Sequence, residues 1–510
     1  MHYINLSQAW DHTLNVNRNN IAIDSEKLIW TYEDLDVTSN KLANWFINLG
    51  IKNNEVVIIF NNKENISYAA MLACIKLGAA YVNLDIEIPA LRLEKILSTC
   101  NPSLILFGDS INQAIGRFLK KSGKEFYCLQ SINYDSYPES SIDEQRITGS
   151  TLAYIMYTSG STGMPKGVAI THGNLLSFIF WSTTQFSITS NDKFAQLSPM
   201  YFDNSVFDFY SAIFSGASLI PVKKELYESP HELIKYLEKK KCTIWFSVPS
   251  LLVYLSIMRV INNKSLASLR LMAFGGEGFP KSELRKLYNL ISDRVLLVNV
   301  YGPTEGTCIC SSYVINEKDF TNMTLLAPLG KINQNFDYLI VDDELNEVKK
   351  GDKGELLLIG PNISPGYYGD PTKTSEFFIQ HPLKKKYSEK VYKTGDIVYE
   401  QNNILNFSGR KDYQIKHMGY RIELEEIECA INTLNYVNQS AVIYKRQRDE
   451  FGSIIAFIKL NKKVHEDSII KELKKYLPNY MIPHKVIITD DLPKNANGKV
   501  DRIKLDKLIP

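Results

Sequence analysis

Short Val/Ile-rich runs alternate with amphipathic stretches through the first two thirds of the chain, and this alternation constrains the fold more than any other feature. Residues 55–60 and 80–84 are predicted strands, and residues 66–77 and 91–97 are predicted helices. Such alternation is typical of α/β architecture with largely parallel sheets. The pattern returns between residues 243 and 290, so we expect more than one unit of this kind.

The pattern changes twice further along the chain. Predicted strands 337–341 and 354–359 are separated by Gly and Pro turns, which indicates a smaller β-rich unit. From Lys411 onward the sequence predicts a compact segment of helices and strands. Because 510 residues are too many for one hydrophobic core, we predict two domains, a large one over residues 1–410 and a small one over residues 411–510.

Composition excludes several classes of function. A net charge of +2 gives no electrostatic reason to expect a nucleic-acid or membrane partner. No apolar run approaches the roughly 20 residues that span a bilayer. The seven cysteines are odd in number and scattered, and the N-terminus lacks the layout of a signal peptide. We therefore expect reduced thiols and a cytoplasmic location.

One loop carries the strongest chemical signal. Residues 157–167, which we call the glycine-rich loop, read Tyr-Thr-Ser-Gly-Ser-Thr-Gly-Met-Pro-Lys-Gly and follow a predicted strand. Glycines let backbone N–H groups turn toward an anion, while hydroxyls and a lysine add donors and charge. Pro165 before Lys166 departs from the Walker pattern. The loop predicts a polyphosphate site, with a flexible turn as the alternative.

Four further motifs stand at wide spacing: Asn299 to Glu305, Tyr392 to Asp396, Gly409 to Glu423, and Leu492 to Asp501. Each alone is weak. Together with the glycine-rich loop, in this order, they resemble the adenylate-forming (AMP-binding) superfamily, and the resemblance covers nearly the whole chain. It is greatest to the amino-acid adenylation domains of nonribosomal peptide synthetases and to D-alanine:carrier-protein ligases.

The resemblance implies a fold and a set of roles. The large domain would contain two α/β subdomains and a small β-rich barrel, and the small α+β domain would be mobile and rotate about Asp412. Thr304 would contact the α-phosphate of ATP, Glu305 would hold Mg²⁺, and Lys499 would touch the reacting carboxylate. The other residues implied for nucleotide binding are Thr158, Ser159, Gly160, Ser161, Thr162, Gly163, Lys166, Asn299, Tyr301, Gly302, Asp396 and Arg410.

These roles agree with elementary electrostatics. A carboxylate attacks an anionic phosphate poorly because two anions must meet. Mg²⁺ on Glu305 and the ammonium of Lys499 would reduce that repulsion and stabilise the developing charge. The acyl-adenylate product hydrolyses readily, so the site must exclude water, and withdrawal of Lys499 with the small domain would then admit a thiol.

The segment from Tyr201 to Asp208 matches the part of the family that lines the acid pocket. A buried carboxylate at Asp203 is costly without a cation, and the α-ammonium of an amino acid is the natural partner. The alternative is that Asp203 caps a helix ahead of Ser205. The resemblance implies that the rest of the substrate pocket is formed by Phe202, Asn204, Phe207, Ser247, Met272, Phe274, Gly275, Val300, Cys308 and Ile309.

The bulk of Phe274 predicts a small or medium, uncharged amino acid. One departure separates the chain from the D-alanine ligases, which resemble Phe-Cys-Gly-Glu where this chain has Phe274-Gly275-Gly276-Glu277. D-Alanine is therefore one candidate among several.

The motifs also bear on which thiol accepts the activated acid and on which other functions are possible. No motif resembles a carrier domain, so we expect the acceptor thiol in trans, on the phosphopantetheine arm of a carrier protein or on coenzyme A. The alternatives are an acyl- or aryl-CoA ligase, which Asp203 argues against, a nucleotide-binding regulator without catalysis, and a luciferase-like oxygenase. The presence of Lys166, Glu305, Asp396 and Lys499 disfavours the regulator.

Overall fold

The structure is a computed structural model that describes residues 3–142, 146–323, 326–384, 386, 388–445, 452–462, 464–494 and 500–509. Its α-helices in the described ranges are α1 Leu6–Asn17, α2 Tyr32–Asn48, α3 Asn65–Leu77, α4 Ala90–Cys100, α5 Gln113–Lys121, α6 His172–Gln185, α7 Asn204–Ile213, α8 Pro230–Lys240, α9 Pro249–Ile257, α10 Lys281–Ile291, α11 Pro371–Phe377, α12 Leu424–Asn432, α13 Glu466–Leu473 and α14 Arg502–Lys507.

The first strands are β1 Ile21–Asp24, β2 Ile29–Thr31, β3 Val56–Phe60, β4 Ala80–Leu84, β5 Leu104–Phe107, β6 Phe126–Cys128, β7 Leu152–Thr158, β8 Lys166–Thr171, β9 Lys193–Gln196, β10 Ser218–Pro221, β11 Ile244–Ser247, β12 Leu271–Gly275 and β13 Leu296–Tyr301. The remaining strands are β14 Ser311–Val314, β15 Lys331–Ile332, β16 Asp337–Val341, β17 Gly354–Ile359, β18 Gly366–Tyr367, β19 Phe378–Gln380, β20 Lys390–Gln401, β21 Ile404–Arg410, β22 Gln414–His417, β23 Tyr420–Glu423, β24 Val437–Lys445, β25 Ser453–Leu460 and β26 Lys485–Ile488.

Two large mixed sheets form the core of the chain. The first has seven strands in the order β18-β8-β7-β4-β3-β5-β6, and the second has nine in the order β15-β14-β13-β12-β11-β9-β10-β1-β2. Their central strands pair in parallel, which confirms the predicted α/β class. Helix α3 is buried along its whole length, as expected of a helix that is apolar all round and packed within a core.

A third sheet is antiparallel and carries the predicted β-rich unit. Strands β16, β17, β20 and β19 pair in that order, and β21 pairs with β20. After β21 come the hairpin β22–β23 and a three-stranded sheet β24-β25-β26 with its own apolar core. We call the described residues from Lys411 onward the C-terminal segment. The division at residues 410 and 411 stays a prediction.

Predicted and observed boundaries agree closely for the buried strands and less well at helix ends. The sequence pattern of residues 467–477 predicts a helix, whereas the observed helix α13 ends at Leu473. Pro478 follows shortly after, and a residue that precedes proline avoids the helical conformation. The sequence pattern there remains apolar although the backbone has left the helix.

Candidate functional site

A cavity lies where the two large sheets and the C-terminal segment meet. The predicted site residues that line it are Thr158, Ser159, Phe202, Asp203, Asn204, Val300, Tyr301, Gly302, Thr304, Cys308, Ile309, Asp396 and Arg410. The C-terminal segment contributes Gln414, Lys416, Gly419, Arg421 and Tyr480 to the same cavity. Residues spread over most of the chain therefore meet at one place.

The glycine-rich loop connects the antiparallel strands β7 and β8 at one end of the cavity. At Gly160 a Cβ atom would lie 2.0 Å from the carbonyl oxygen of Met164, so only glycine allows the loop to fold back this tightly. Lys166 begins β8 and is buried. The close turn and the buried cation form an anion-binding end of the cavity.

That anion-binding end is filled by carboxylates of the C-terminal segment. Lys166 Nζ lies 3.0 Å from Glu423 Oε1, and the backbone N–H of Gly160 donates to Glu426 Oε2 at 3.2 Å. Glu426 also forms an ion pair with buried Arg92. These two donors are thus satisfied by the protein itself, whereas the buried hydroxyl of Thr158 has no hydrogen-bond partner among the described residues.

Glu305 is also paired with the C-terminal segment. Here the core provides the carboxylate and the segment provides the cation. Its carboxylate is fully buried, accepts from Tyr367 Oη at 2.8 Å and lies 2.6 Å from Arg421 Nη1. Burial acts to raise the pKa of Glu305, but the nearby cations Arg421 and Lys166 outweigh it and lower this pKa to about 2. The carboxylate is therefore ionised and needs a positive partner at this position.

Asp396, predicted to bind the ribose, is held by two neighbours. It accepts from Tyr301 Oη and lies 2.6 Å from Arg410 Nη1. Arg410 also donates to Asp412, and both carboxylate oxygens lie within 2.7 Å of the guanidinium. The residue predicted as the hinge is thereby tied to the predicted nucleotide site through one arginine.

Asp203 lies at the opposite end of the cavity, at the start of α7. Its own side chain makes no capping bond to the helix, and Oδ2 accepts from the hydroxyl of Thr304 at 2.6 Å. Burial raises the pKa of Asp203, while the Thr304 bond and the more distant Lys416 act to lower it. The carboxylate faces the cavity, so the capping alternative does not describe it.

Lys416 is a cavity residue for which the sequence suggested no role. Its ammonium lies 5.7 Å from the centre of the Tyr301 ring. Burial lowers the pKa of Lys416, and the carboxylates of Asp396 and Asp203 act to raise it. It therefore lies within the electrostatic reach of both predicted binding carboxylates.

Comparison with known proteins adds the family. The family model of the AMP-binding enzyme matches residues 10–368, and the model of the AMP-binding enzyme C-terminal domain matches residues 426–499. The chain belongs to the AMP-binding enzyme family. Its membership accounts for the order of the motifs along the sequence.

Several relatives of this AMP-binding enzyme have curated names. D-Alanine–D-alanyl carrier protein ligases of Bacillus cereus (strain AH187) and Bacillus mycoides (strain KBAB4) are 30% and 31% identical over 94% of this chain and 96% of theirs. A Vibrio cholerae adenylation domain solved with glycyl-adenosine-5'-phosphate has a TM-score of 0.83 at 23% identity, covering 100% of this chain and 98% of that one. An o-succinylbenzoate CoA synthetase from Bacillus subtilis has a TM-score of 0.87 at 20% identity and covers 99% and 98%.

Some predicted pocket residues of the AMP-binding enzyme lie behind the cavity wall. Met272 and Phe274 point from β12 into a separate core cluster, and the Phe274 ring packs edge-on against Phe279 at 5.0 Å. Ser247 accepts from Trp245 Nε1 at 2.7 Å. These side chains alternate along buried strands, and the face that meets the cavity is decided by the register of the sheet.

Phe246 forms the wall that the sequence suggested for Phe207. Phe246 lines the cavity, and Phe207 packs edge-on behind it at 5.5 Å. At Gly275, which also lies off the cavity, a Cβ atom would be 2.3 Å from the carbonyl oxygen of Val300. The strand pair β12–β13 is therefore closely packed at the pocket wall.

The remaining predicted residues have varied positions. Asn299 donates from Nδ2 to the carbonyl oxygen of Pro328 at 2.8 Å, which ties β13 to the loop before β15. Gly163 accepts at its carbonyl from Lys95 Nζ at 2.7 Å, and Ser161 and Thr162 belong to the same exposed turn. Lys499 lies outside the described residues.

The structure also reveals side chains to which the motifs assigned no role. These are Arg92, Lys416, Arg421, Glu423 and Glu426. Lys416, Arg421 and Glu423 lie within the motif from Gly409 to Glu423, and Glu426 follows three residues after it, which was the available signal; Arg92 lies outside the quoted motifs. In the described ranges no helix is long and apolar enough to cross a membrane.

Proposed function

We propose that this AMP-binding enzyme activates a small, uncharged α-amino acid with ATP, releasing pyrophosphate. It then transfers the aminoacyl group from the adenylate to the phosphopantetheine thiol of a separate carrier protein. The observation that carries the proposal is the buried carboxylate of Asp203. It faces the cavity with the Thr304 hydroxyl as its hydrogen-bond partner.

An α-ammonium suits Asp203 better than any neutral group does. A buried carboxylate is destabilised unless a cation compensates it, and the cations that act on Asp203, Lys416 and Arg421, both belong to the C-terminal segment. When that segment moves, the compensation leaves with it. An amino-acid substrate would bring its own positive charge to the same place, whereas a fatty or aryl acid would not.

The shape of the pocket supports a small side chain. Phe246, Val300 and Cys308 line the cavity, and the fully buried ring of Phe274 occupies the volume behind the wall. The relatives named as D-alanine ligases, and the related fold that holds glycyl-adenosine-5'-phosphate, are in keeping with glycine or alanine size. Because Gly275 leaves no room for a cysteine side chain, the wall differs from that expected of D-alanine ligases.

The charged residues fit a magnesium–nucleotide complex. Mg²⁺ is usually bound through one or two carboxylates together with substrate phosphates, so the single carboxylate of Glu305 can be its protein ligand. Glu305 is ionised and cation-compensated, so it would hold the ion when Arg421 withdraws. The ion would supply charge neutralisation at the phosphates.

The chain's own residues perform the rest of the first step. Lys166 and the N–H of Gly160 would receive the terminal phosphates, and Asp396 would accept from the ribose hydroxyls. Thr304 donates to Asp203 here, so it is close enough to the ammonium site to orient the amino acid and the α-phosphate together. Lys499, which belongs to the predicted small domain, would neutralise the reacting carboxylate.

We assign the arrangement described here to the second step. Glu423 and Glu426 occupy the donors of the glycine-rich loop, and Arg421 occupies Glu305. ATP can enter only after these contacts separate. The segment can return once pyrophosphate has left, and the aminoacyl-adenylate is then presented to the thiol.

ATP–pyrophosphate exchange tests the first step. We expect exchange with glycine or with one enantiomer of alanine, and little with long-chain fatty acids or aromatic acids tested in parallel. Exchange that depends only on fatty or aryl acids would replace the proposal with a CoA ligase. Thioester formation on a phosphopantetheinylated carrier protein, compared with coenzyme A at equal concentration, then identifies the acceptor.

A further inference from the structure

Lys63 crosses from one large sheet to the other at a distance from the cavity. It follows β3 of the seven-stranded sheet, with a left-handed backbone (φ 60°) and a side chain that is almost entirely buried. Its Nζ donates to three carbonyl oxygens of the nine-stranded sheet: Gln196 at 3.1 Å, Leu197 at 2.7 Å and Val222 at 2.7 Å. Three acceptors match the three N–H bonds of an ammonium group.

A buried carboxyl group on α7 acts electrostatically on Lys63. Asp208 is fully buried, and neither of its carboxylate oxygens has a hydrogen-bond partner within the described part of the chain. Burial raises the pKa of Asp208 and lowers the pKa of Lys63 to about 7, and the attraction between the two groups offsets this only in part. Helix α7, which begins just after Asp203, therefore interacts electrostatically with Lys63. This interaction is additional to the hydrogen bonds of Lys63 at the ends of β9 and β10.

Two of the carbonyls that Lys63 binds, those of Gln196 and Leu197, lie at the start of a functional segment. Residues 197–203, which we call the Asp203 segment, connect β9 to α7. Two further bonds tie this segment to the seven-stranded sheet: Asn83 Nδ2 donates to the carbonyl of Met200 at 3.3 Å, and Tyr201 Oη donates to Asp85 at 2.8 Å. The sheet that carries the glycine-rich loop thus also holds the Asp203 segment.

We propose that Lys63 is a positioning residue for amino-acid binding: it fixes the Asp203 segment relative to the glycine-rich loop. The inference rests on the proposed function, in which Asp203 binds the α-ammonium. Its consequence is selective. Loss of Lys63 displaces the site of the amino acid, while the nucleotide site, formed by the glycine-rich loop and by β20 and β21, keeps its own supports.

The test compares two buried lysines. Lys63→Met removes the ammonium and keeps most of the apolar stem. Lys76→Met is the matched control, because Lys76 is equally buried and donates to Asp36, Ser39 and Asn40 at 2.6–2.7 Å between α2 and α3. In ATP–pyrophosphate exchange, we expect Lys63→Met to raise the amino-acid KM by about 10- to 100-fold with the ATP KM within about twofold. Lys76→Met should lower the melting temperature without changing either KM.

A second variant keeps the test decisive if Lys63→Met fails to fold. Lys63→Met with Asp208→Asn removes both charges, so no buried ion is left unpaired, and it loses the same three carbonyl bonds. An unchanged amino-acid KM in a folded variant, or equal rises in both KM values, would overturn the role of Lys63 and leave the proposed function intact. A wild-type enzyme that activates no amino acid would remove the proposed function and this inference with it.

Discussion

The two ends of the cavity differ in how their charges are compensated. At the glycine-rich loop, Lys166 and Glu305 each have an oppositely charged partner from the C-terminal segment within 3.0 Å. At the other end, Asp203 has a hydroxyl at hydrogen-bond distance and cations only at longer range. The first end contains ion pairs, whereas Asp203 forms no ion pair within the described part of the chain.

This difference is informative because the pKa values follow it. Glu305 has a pKa lowered to about 2 by its cationic neighbours, whereas burial raises the pKa of Asp203. The ion-pair partners at the loop end, Glu423 and Arg421, both leave if the C-terminal segment rotates. The ion pairs at the loop end therefore depend on the position of that segment. An ion pair at Asp203 depends on the substrate.

Replacing Asp203 should have the largest effect on activity, because it removes the charge at one end of the cavity. Asp203→Ala leaves the substrate ammonium without a carboxylate, a loss of roughly 3–5 kcal/mol for a buried pair. Amino-acid-dependent pyrophosphate exchange should fall by about 10²–10³-fold or more, with ATP affinity by nucleotide titration close to wild type. Equal activation of the same amino acid by the variant would reopen the substrate class.

Lys499 should matter for the first step alone. Lys499→Ala removes one donor to a developing charge, which typically costs about 10²–10³ in rate. Pyrophosphate exchange should fall by this factor, while transfer from chemically supplied aminoacyl-adenylate to the carrier is largely retained. Normal exchange in the variant would refute the role of Lys499.

The hinge prediction separates the two half-reactions. Asp412→Pro fixes φ near roughly −65° and should hinder rotation of the C-terminal segment, so exchange persists while thioester formation falls about tenfold or more. Asp412→Asn is the control, because it weakens the ion pair with Arg410 and leaves the backbone free. Unchanged thioester formation in the proline variant, or equal loss of both activities, would count against a hinge here.

Glu423→Gln tests the role of the ion pair at the loop end. It removes the ion pair with Lys166 and should weaken the observed arrangement by about 1–2 kcal/mol, a factor of roughly 5–30. We expect slower thioester formation and no loss of exchange, with exposed Glu466→Gln of the same segment as the control. A fall in exchange with normal thioester formation would contradict our assignment of this arrangement to the second step.

The smallest expected effect is a pH dependence that differs between the ends. As the pH falls, Asp203 is protonated first because its pKa is raised, and its attraction for an ammonium is lost. Glu305 remains ionised until the pH approaches 2. As the pH is lowered, the amino-acid KM should therefore rise, by at most about tenfold per pH unit, before protonation of Glu305 affects the ATP KM. Parallel rises would show that the two carboxylates do not differ in this way.

Much of the fold could be predicted because buried strands record their surroundings in local sequence. Strands β4, β16 and β17 have the predicted bounds, since continuous apolar or alternating runs between turn residues leave little choice. Helix ends were less predictable, as α13 shows. The pocket was harder still, because whether Phe246 or Phe207 meets the cavity depends on packing between distant elements.

The family, the order of the motifs and the candidate residues could be read from the sequence alone. A tight turn that binds an anion requires glycines and charged residues close together in the chain, so its pattern is local. The tertiary structure decided which charges meet. Glu423 and Lys166 are 257 residues apart in the chain and lie 3.0 Å apart in space. No local pattern encodes such a pair, since its formation depends on how the C-terminal segment packs against the core.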